Sequence, residues 1–212
     1  MSVQDAYTEW AATYDEDRNR TRDLDQQVTR AALEGRRFAA IVEIGCGTGK
    51  NTALLAQLGG SVRALDFSAG MLARARAKVQ AANVTFIEAD LTQRWPLEDA
   101  GADLVVCNLV LEHIEDLRFI FAEAARILAP AGRFFVCELH PFRQYQGTVA
   151  NFQRNEGAIE IDAFVHHISD FLAAAAESNL QLERWDEWWH EEDEGKPPRL
   201  ASFMFVRNED FL

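Results

Sequence analysis

The segment Glu43-Ile44-Gly45-Cys46-Gly47-Thr48-Gly49 gathers the residue types that a small-ligand site needs. Its glycines allow a tight turn and a close approach of backbone to ligand. Two further acidic residues, Asp66 and Asp90, follow the next two apolar runs. Three ligand chemistries compete for this set. A nicotinamide dinucleotide calls for G-x-G-x-x-G, but Lys50 stands where the third glycine belongs. The carboxylate of Glu43, just ahead of the loop, would also sit badly against a pyrophosphate. A P-loop calls for G-x-x-x-x-G-K-[ST]. Gly49-Lys50 fits that pattern, but Ile44 replaces the first glycine and Asn51 the hydroxyl residue. The third candidate, S-adenosylmethionine (SAM), carries an amino group, a carboxylate and a sulfonium. An acidic residue at the strand end is then welcome, and Glu43 supplies it. Asp66 can accept both ribose hydroxyls. Asp90 is placed for the adenine amino group, with Leu91 and Met71 flanking the ring.

These residues converge only if the apolar runs before them are neighbouring parallel strands. Residues 39–44, 62–66, 83–88, 103–108 and 133–139 read as five short strands. Between them lie helices at about 51–58, from a Ser68 cap to 81, and at 117–128. Strands alternating with helices argue for βαβ units in a doubly wound α/β sheet. The strands are apolar on both faces, as a sheet covered by helices on both sides requires. Ligands of such sheets bind beyond the carboxyl ends of the strands. The segment 142–164 breaks the rhythm and reads as irregular. A helix over 168–178, capped by Ser169, follows, and then strands at 180–189 and 200–207. The loop joining those two strands is too short for a helical crossover, so they should pair antiparallel. Ahead of the first strand, Tyr7, Trp10, Ala11 and Tyr14 form an amphipathic stripe over 6–14. A charged stretch covers 15–25, and a second helix is expected over 26–33.

With 212 residues, 48% hydrophobic and 26% charged, the chain has the profile of an ordinary globular domain. A formal charge of −13 repels phosphate backbones and anionic membranes, so neither nucleic acid nor membrane is an expected partner. Neutral or cationic small substrates are easier to accept. Cys46, Cys107 and Cys137 lie in or beside buried strands, form no CxxC pair and read as inert thiols of a reducing cytoplasm. No metal site is expected: His166 and His167 are adjacent and cannot both face one ion from a helix. The first residues carry no secretory signal.

E-I-G-C-G-T-G resembles the first motif of class I SAM-dependent methyltransferases. L-D-F-S-A-G-M-L-A-R-A-R and E-A-D-L look like their second-strand and adenine-binding segments. L-V-V-C-N-L-V-L-E-H-I-E-D and P-A-G-R-F-F-V-C-E are similar to the subgroup of quinone-biosynthesis and malonyl-carrier-protein methyltransferases, as is W-A-A-T-Y-D near the start. The resemblance covers about Tyr7 to Glu138. It implies a three-layer, seven-stranded sheet in the order 3-2-1-4-5-7-6, with strand 7 antiparallel. It implies a helical lid over 1–35 and a SAM-binding domain over 36–212, with an insert at about 141–165. By the same resemblance, Glu43, Gly45 and Gly47 lie at the methionine moiety. Asp66 lies on the ribose and Asp90 and Leu91 at the adenine, and Phe67 and Met71 are further cofactor-binding candidates. Asn108 gives a backbone contact near the sulfonium, Tyr14 closes over the cofactor, and Arg22 pairs with its carboxylate.

The expected activity is methyl transfer to a small molecule by a monomer or homodimer. The alternative is a silent SAM-binding regulatory or partner protein. Candidate acid–base and acceptor-facing residues are His140 after the fifth strand, His113 after the fourth, and Tyr145. Arg143 and Gln144 are expected to join Tyr145 around the acceptor. Trp185 and Trp189 share a strand face, as core or as an aromatic wall. The run Glu191-Glu192-Asp193-Glu194 reads as a solvated loop.

Overall fold

The computed structural model describes residues 2–16, 19–148, 151–154 and 157–208. Parallel strands β1 (Phe38–Ile44), β2 (Gly59–Asp66), β3 (Val84–Glu88), β4 (Ala102–Asn108) and β5 (Leu128–Leu139) form most of the sheet. β1 pairs with β2 on one side and β4 on the other, and β3 and β5 extend these pairs. A hairpin of β6 (Asn151–Arg154) and β7 (Gly157–Glu160) stands apart as its own two-stranded sheet. β8 (Leu180–Trp188) and β9 (Leu200–Arg207) complete the main sheet. β9 inserts between β5 and β8 and runs antiparallel to both. The order is therefore β3-β2-β1-β4-β5-β9-β8, the arrangement that the resemblance implied. A short β8–β9 connection forces this reversal, because a parallel return needs a crossover of a dozen residues or more.

Seven helices are described: α1 (Val3–Trp10), α2 (Arg20–Leu33), α3 (Thr52–Leu58), α4 (Ala69–Lys78), α5 (Leu117–Ile127), α6 (Pro141–Tyr145) and α7 (Ile168–Glu177). Strand periodicity sorts the core into two layers. Val42, Val105, Phe134 and Phe205 pack with Phe121 of α5 and Phe171 of α7. Ile41, Leu104, Val106 and Met204 pack with Leu24 and Val28 of α2 and Leu55 of α3. Phe121, Phe134, Phe203 and Phe205 are fully buried, each contributing about 1.5–3 kcal/mol of transfer free energy. α2 thus belongs to the sheet's second layer rather than to the cleft rim alone.

Several boundaries differ from the sequence reading. α2 starts at Arg20, not at 26, because Asn19 caps it by accepting from the Arg22 N–H at 3.0 Å. Arg22 and Asp25 are buried on its inner face, where a hydrophobic pattern counts them as solvent-facing. α4 stops at Lys78 rather than 81. Leu128 opens β5 instead of closing α5. α7 is capped at His167, not Ser169, since Asp170 accepts the His167 N–H at 2.8 Å. The segment 142–164 holds α6 and the hairpin rather than irregular chain. Of the expected insert at 141–165, residues 149, 150, 155 and 156 lie outside the described residues, as do Asp17 and Arg18 of the charged stretch. The acidic run near the end is not wholly solvated. Asp193 is buried, and Arg199 grips both of its oxygens at 2.7 Å. This holds its carboxyl well below the usual range. Among the described residues, no helix is long and apolar enough to cross a membrane.

Candidate functional site

A cleft of about 170 Å³ opens beyond the carboxyl ends of β1, β2 and β4. The structure brings Tyr14, Arg22, Glu43, Gly45, Gly47, Asp66, Phe67, Met71, Asp90, Leu91 and Asn108 to this one cavity. Parallel registry explains the convergence: Ile44 pairs with Leu65 on one side and Cys107 on the other, so all three strands end level.

The loop after β1 has two glycines with different constraints. Gly45 has φ +69°, and a Cβ there would stand 2.2 Å from Val110 Cγ2. Gly47 has φ +53°, but a Cβ would meet nothing within 4 Å, because this side faces the open cleft. The Gly47 N–H donates to Asp66 Oδ2 at 2.8 Å, and the Ser68 N–H donates to Oδ1 at 2.9 Å. Asp66 therefore shapes the loop as well as lining the cleft. Burial raises its pKa, and these two N–H groups pull it back down.

Glu43 accepts from Thr52 Oγ1 at 2.5 Å. Burial pushes its carboxyl up to about 8, and the nearby charges of Asp25 and Asp66 add to the shift. Asp25, on α2, accepts from Asn51 at 2.8 Å and Asn108 at 2.5 Å, and burial raises its pKa too. Both cations of the cleft are engaged. Arg22 donates to the Tyr14 carbonyl at 2.6 Å and lies 3.9 Å over the Tyr14 ring. Lys50 pairs with Asp23 at 2.7 Å. Three carboxyl groups held this way favour a cationic occupant.

Asp90 is exposed, and its Oδ1 accepts the Thr92 N–H at 2.9 Å and hydroxyl at 2.7 Å, so it also forms the turn after β3. The Asn108 side chain is turned toward α2, donating to Asp25 and to Thr29 at 2.9 Å, which leaves its backbone at the strand end. His113 lines the cleft in a single 3-10 turn, Leu111–His113. Its Nε2 meets the Tyr7 hydroxyl at 2.8 Å and its Nδ1 the Asp162 carbonyl at 2.9 Å, and burial lowers its pKa.

Two expected catalytic residues lie elsewhere. His140 does not line the cleft. Its Nδ1 accepts the Phe142 N–H at 3.2 Å as the cap of α6, and its Nε2 meets Glu187 at 3.0 Å. Tyr145 is 57% exposed and pairs with His167. Pro141 starts a helix directly after β5, and that turn carries both side chains away. Arg143 goes to Asp193 at 3.0 Å, and Gln144 Nε2 donates to the Phe164 carbonyl at 3.3 Å. Trp185 stacks on Phe203 and Trp189 is half exposed, and neither lines the cleft.

The sequence reading missed Asp25, Thr52, Glu112 and Glu138. Glu138, at the end of β5, accepts the N–H groups of Val110 and Leu111 at 3.0 and 3.1 Å and fixes the turn that carries His113. Burial pushes its carboxyl up to about 8. Only the acidic residue closing an apolar strand could have flagged it.

SAM fits this donor set. The Gly47 side of the loop is open to a ligand backbone, the acidic groups suit an amine and a ribose, and Lys50 is held by Asp23. Residues 42–136 match the family described as "Methyltransferase domain". Fold and segment together resemble those of class I SAM-dependent methyltransferase domains. The chain is 36% identical over 122 residues to a malonyl-[acyl-carrier protein] O-methyltransferase of Enterobacter lignolyticus, covering 58% of this chain and 47% of the relative. It is 36% identical over 99 residues to a demethylmenaquinone methyltransferase of Clavibacter sepedonicus, covering 46% and 40%. The chain thus spans less than half the length of these curated relatives. The structure of N-methyltransferase NodS from Bradyrhizobium japonicum with S-adenosyl-L-homocysteine (SAH) shares the fold. Its TM-score is 0.75 at 18% identity, covering 99% of this chain and 100% of that one.

Proposed function

We propose that this chain transfers a methyl group to a small-molecule acceptor by in-line displacement. One observation carries the reading: Glu43, Asp25 and Asp66 are buried around the glycine loop, and of the two cations lining the cleft Lys50 is paired with Asp23, which leaves the carboxyl groups in excess. A cationic nucleoside favours ionisation of these carboxyl groups, and a diphosphate opposes it. SAM supplies a methyl carbon activated by its own sulfonium. Glu43 would hold the amino group and Arg22 the carboxylate. Asp66 would accept from the ribose, and Asp90 with Leu91 would hold the adenine. Phe67, Met71 and Ile114 line the cavity and would exclude water from it, and Tyr7 and Tyr14 would cover the cofactor. Positioning and water exclusion then do most of the catalytic work. Two relatives named as methyltransferases support the activity. The reading includes a cytoplasmic monomer or homodimer without a nucleic-acid partner, supported by the charge of −13 and by three buried free thiols.

Titration calorimetry with SAH and with NADPH tests the cofactor. SAH is expected to bind and NADPH to give no heat. The reverse result would overturn the reading.

A further inference from the structure

A second chamber, of about 130 Å³, adjoins the cofactor cleft and shares Tyr7, Tyr14 and Arg22 with it. Trp10 and Leu139 extend its apolar wall, and Glu112 is its buried acidic group. Glu112 and His113 are consecutive in the same 3-10 turn, yet they line different cavities: Glu112 the chamber, His113 the cleft. Glu112 is 8% exposed, and its Oε2 is buried with no hydrogen-bond partner among the described residues. Its Oε1 lies 3.7 Å from His113 Nε2. A buried carboxylate oxygen without a donor is costly, so its persistence beside a cavity calls for a donor brought by a ligand.

We propose, on the methyltransferase reading above, that this chamber is the acceptor subsite and takes a small amine in its ammonium form, with Glu112 receiving an N–H proton. The chemistry selects the amine. A carboxylate acceptor would set its charge against Glu112 and against a protein of net charge −13. An alcohol would fill the vacant hydrogen bond but gain nothing from the negative field. An ammonium gains both.

The step balances. The ammonium gives one proton to the Glu112 carboxylate. The freed nitrogen lone pair bonds the methyl carbon as the C–S bond breaks, with its electron pair left on sulfur. The product leaves as a methylated ammonium, and Glu112 returns its proton to solvent. Burial lifts the Glu112 carboxyl to about 7, with the neighbouring Gln144 amide drawing it down. A base near neutrality suits this transfer. Among the described residues, the charged and titratable groups around it are His113, Tyr7 behind His113, Tyr14 and Arg22 across the chamber, and Glu138.

The test uses the SAH-saturated protein, titrated calorimetrically with benzylamine and butylamine and then with benzyl alcohol and benzoate. The amines are expected to bind in preference. Glu112→Gln should weaken them at least about tenfold, through loss of one charge-assisted hydrogen bond, with SAH affinity unchanged. Glu112→Asp should recover part of the binding. With SAM present, Glu112→Gln should raise KM for the amine. Preference for the alcohol or benzoate, no amine binding, or unchanged amine affinity in Glu112→Gln would overturn the proposal while leaving the methyltransferase reading intact. Failure of the wild-type protein to bind SAH would bring down both.

Discussion

Asn108, at the end of β4, donates its side-chain amide to Asp25 of α2 at 2.5 Å. The same carboxylate accepts from Asn51, at the start of α3, at 2.8 Å. One buried side chain therefore ties the N-terminal segment, the glycine loop's exit and the fourth strand together behind the cleft.

Asp25→Ala is expected to destabilise the protein. Both amides lose a buried acceptor, at about 1–3 kcal/mol for each orphaned group. Urea denaturation measures it, and an unchanged midpoint would refute the tie.

The two loop glycines should respond differently to alanine. At Gly47 the cost is backbone strain alone, about 1–2 kcal/mol for a left-handed residue. At Gly45 the new methyl also strikes Val110 Cγ2, which stands 2.2 Å from its position. Gly45→Ala should melt lower than Gly47→Ala, and adding Val110→Ala should recover part of the loss. Equal melting temperatures would sink the steric argument.

Asp66→Ala should weaken SAH binding by about 2 kcal/mol, roughly 30-fold in Kd, from lost hydrogen bonds to the ribose and to the Gly47 and Ser68 amides. Calorimetry decides it, and wild-type affinity would exclude Asp66 from the site.

Ligand-free stability should fall as pH rises. Burial raises Glu43 and Glu138 to about 8, against an unfolded value of 4.5. The folded state thus holds more protons over this interval, and the associated stability is lost as pH climbs through about 8. Asp193, whose pKa is lowered, acts in the opposite sense only in acid. Urea denaturation at pH 6 and pH 9 is the comparison, and greater stability at pH 9 would contradict the shifts.

His140→Ala should leave methyl transfer at the same order of magnitude. It should cost about 1 kcal/mol through loss of a helix cap. A collapse in kcat with intact folding would restore His140 as a base.

Much of the cleft's lining was legible in the chain because its information is local. Each apolar run ends beside its own polar residue, at Glu43, Asp66, Asp90 or Asn108, and parallel pairing puts those ends on one edge of the sheet. The glycine loop's spacing, read with the acids, already argued against the diphosphate ligands. What the tertiary structure decided is where polar side chains turn once the chain leaves a strand. Asp25 and Asn108 stand 83 positions apart, and only packing of α2 against the sheet makes them partners. His140 and Tyr145 follow β5 closely, yet Pro141 starts a helix that carries them off. Glu112 is one residue from His113 but opens on another cavity. Burial of a charged group depends on distant partners that supply its hydrogen bonds, and no local pattern records them.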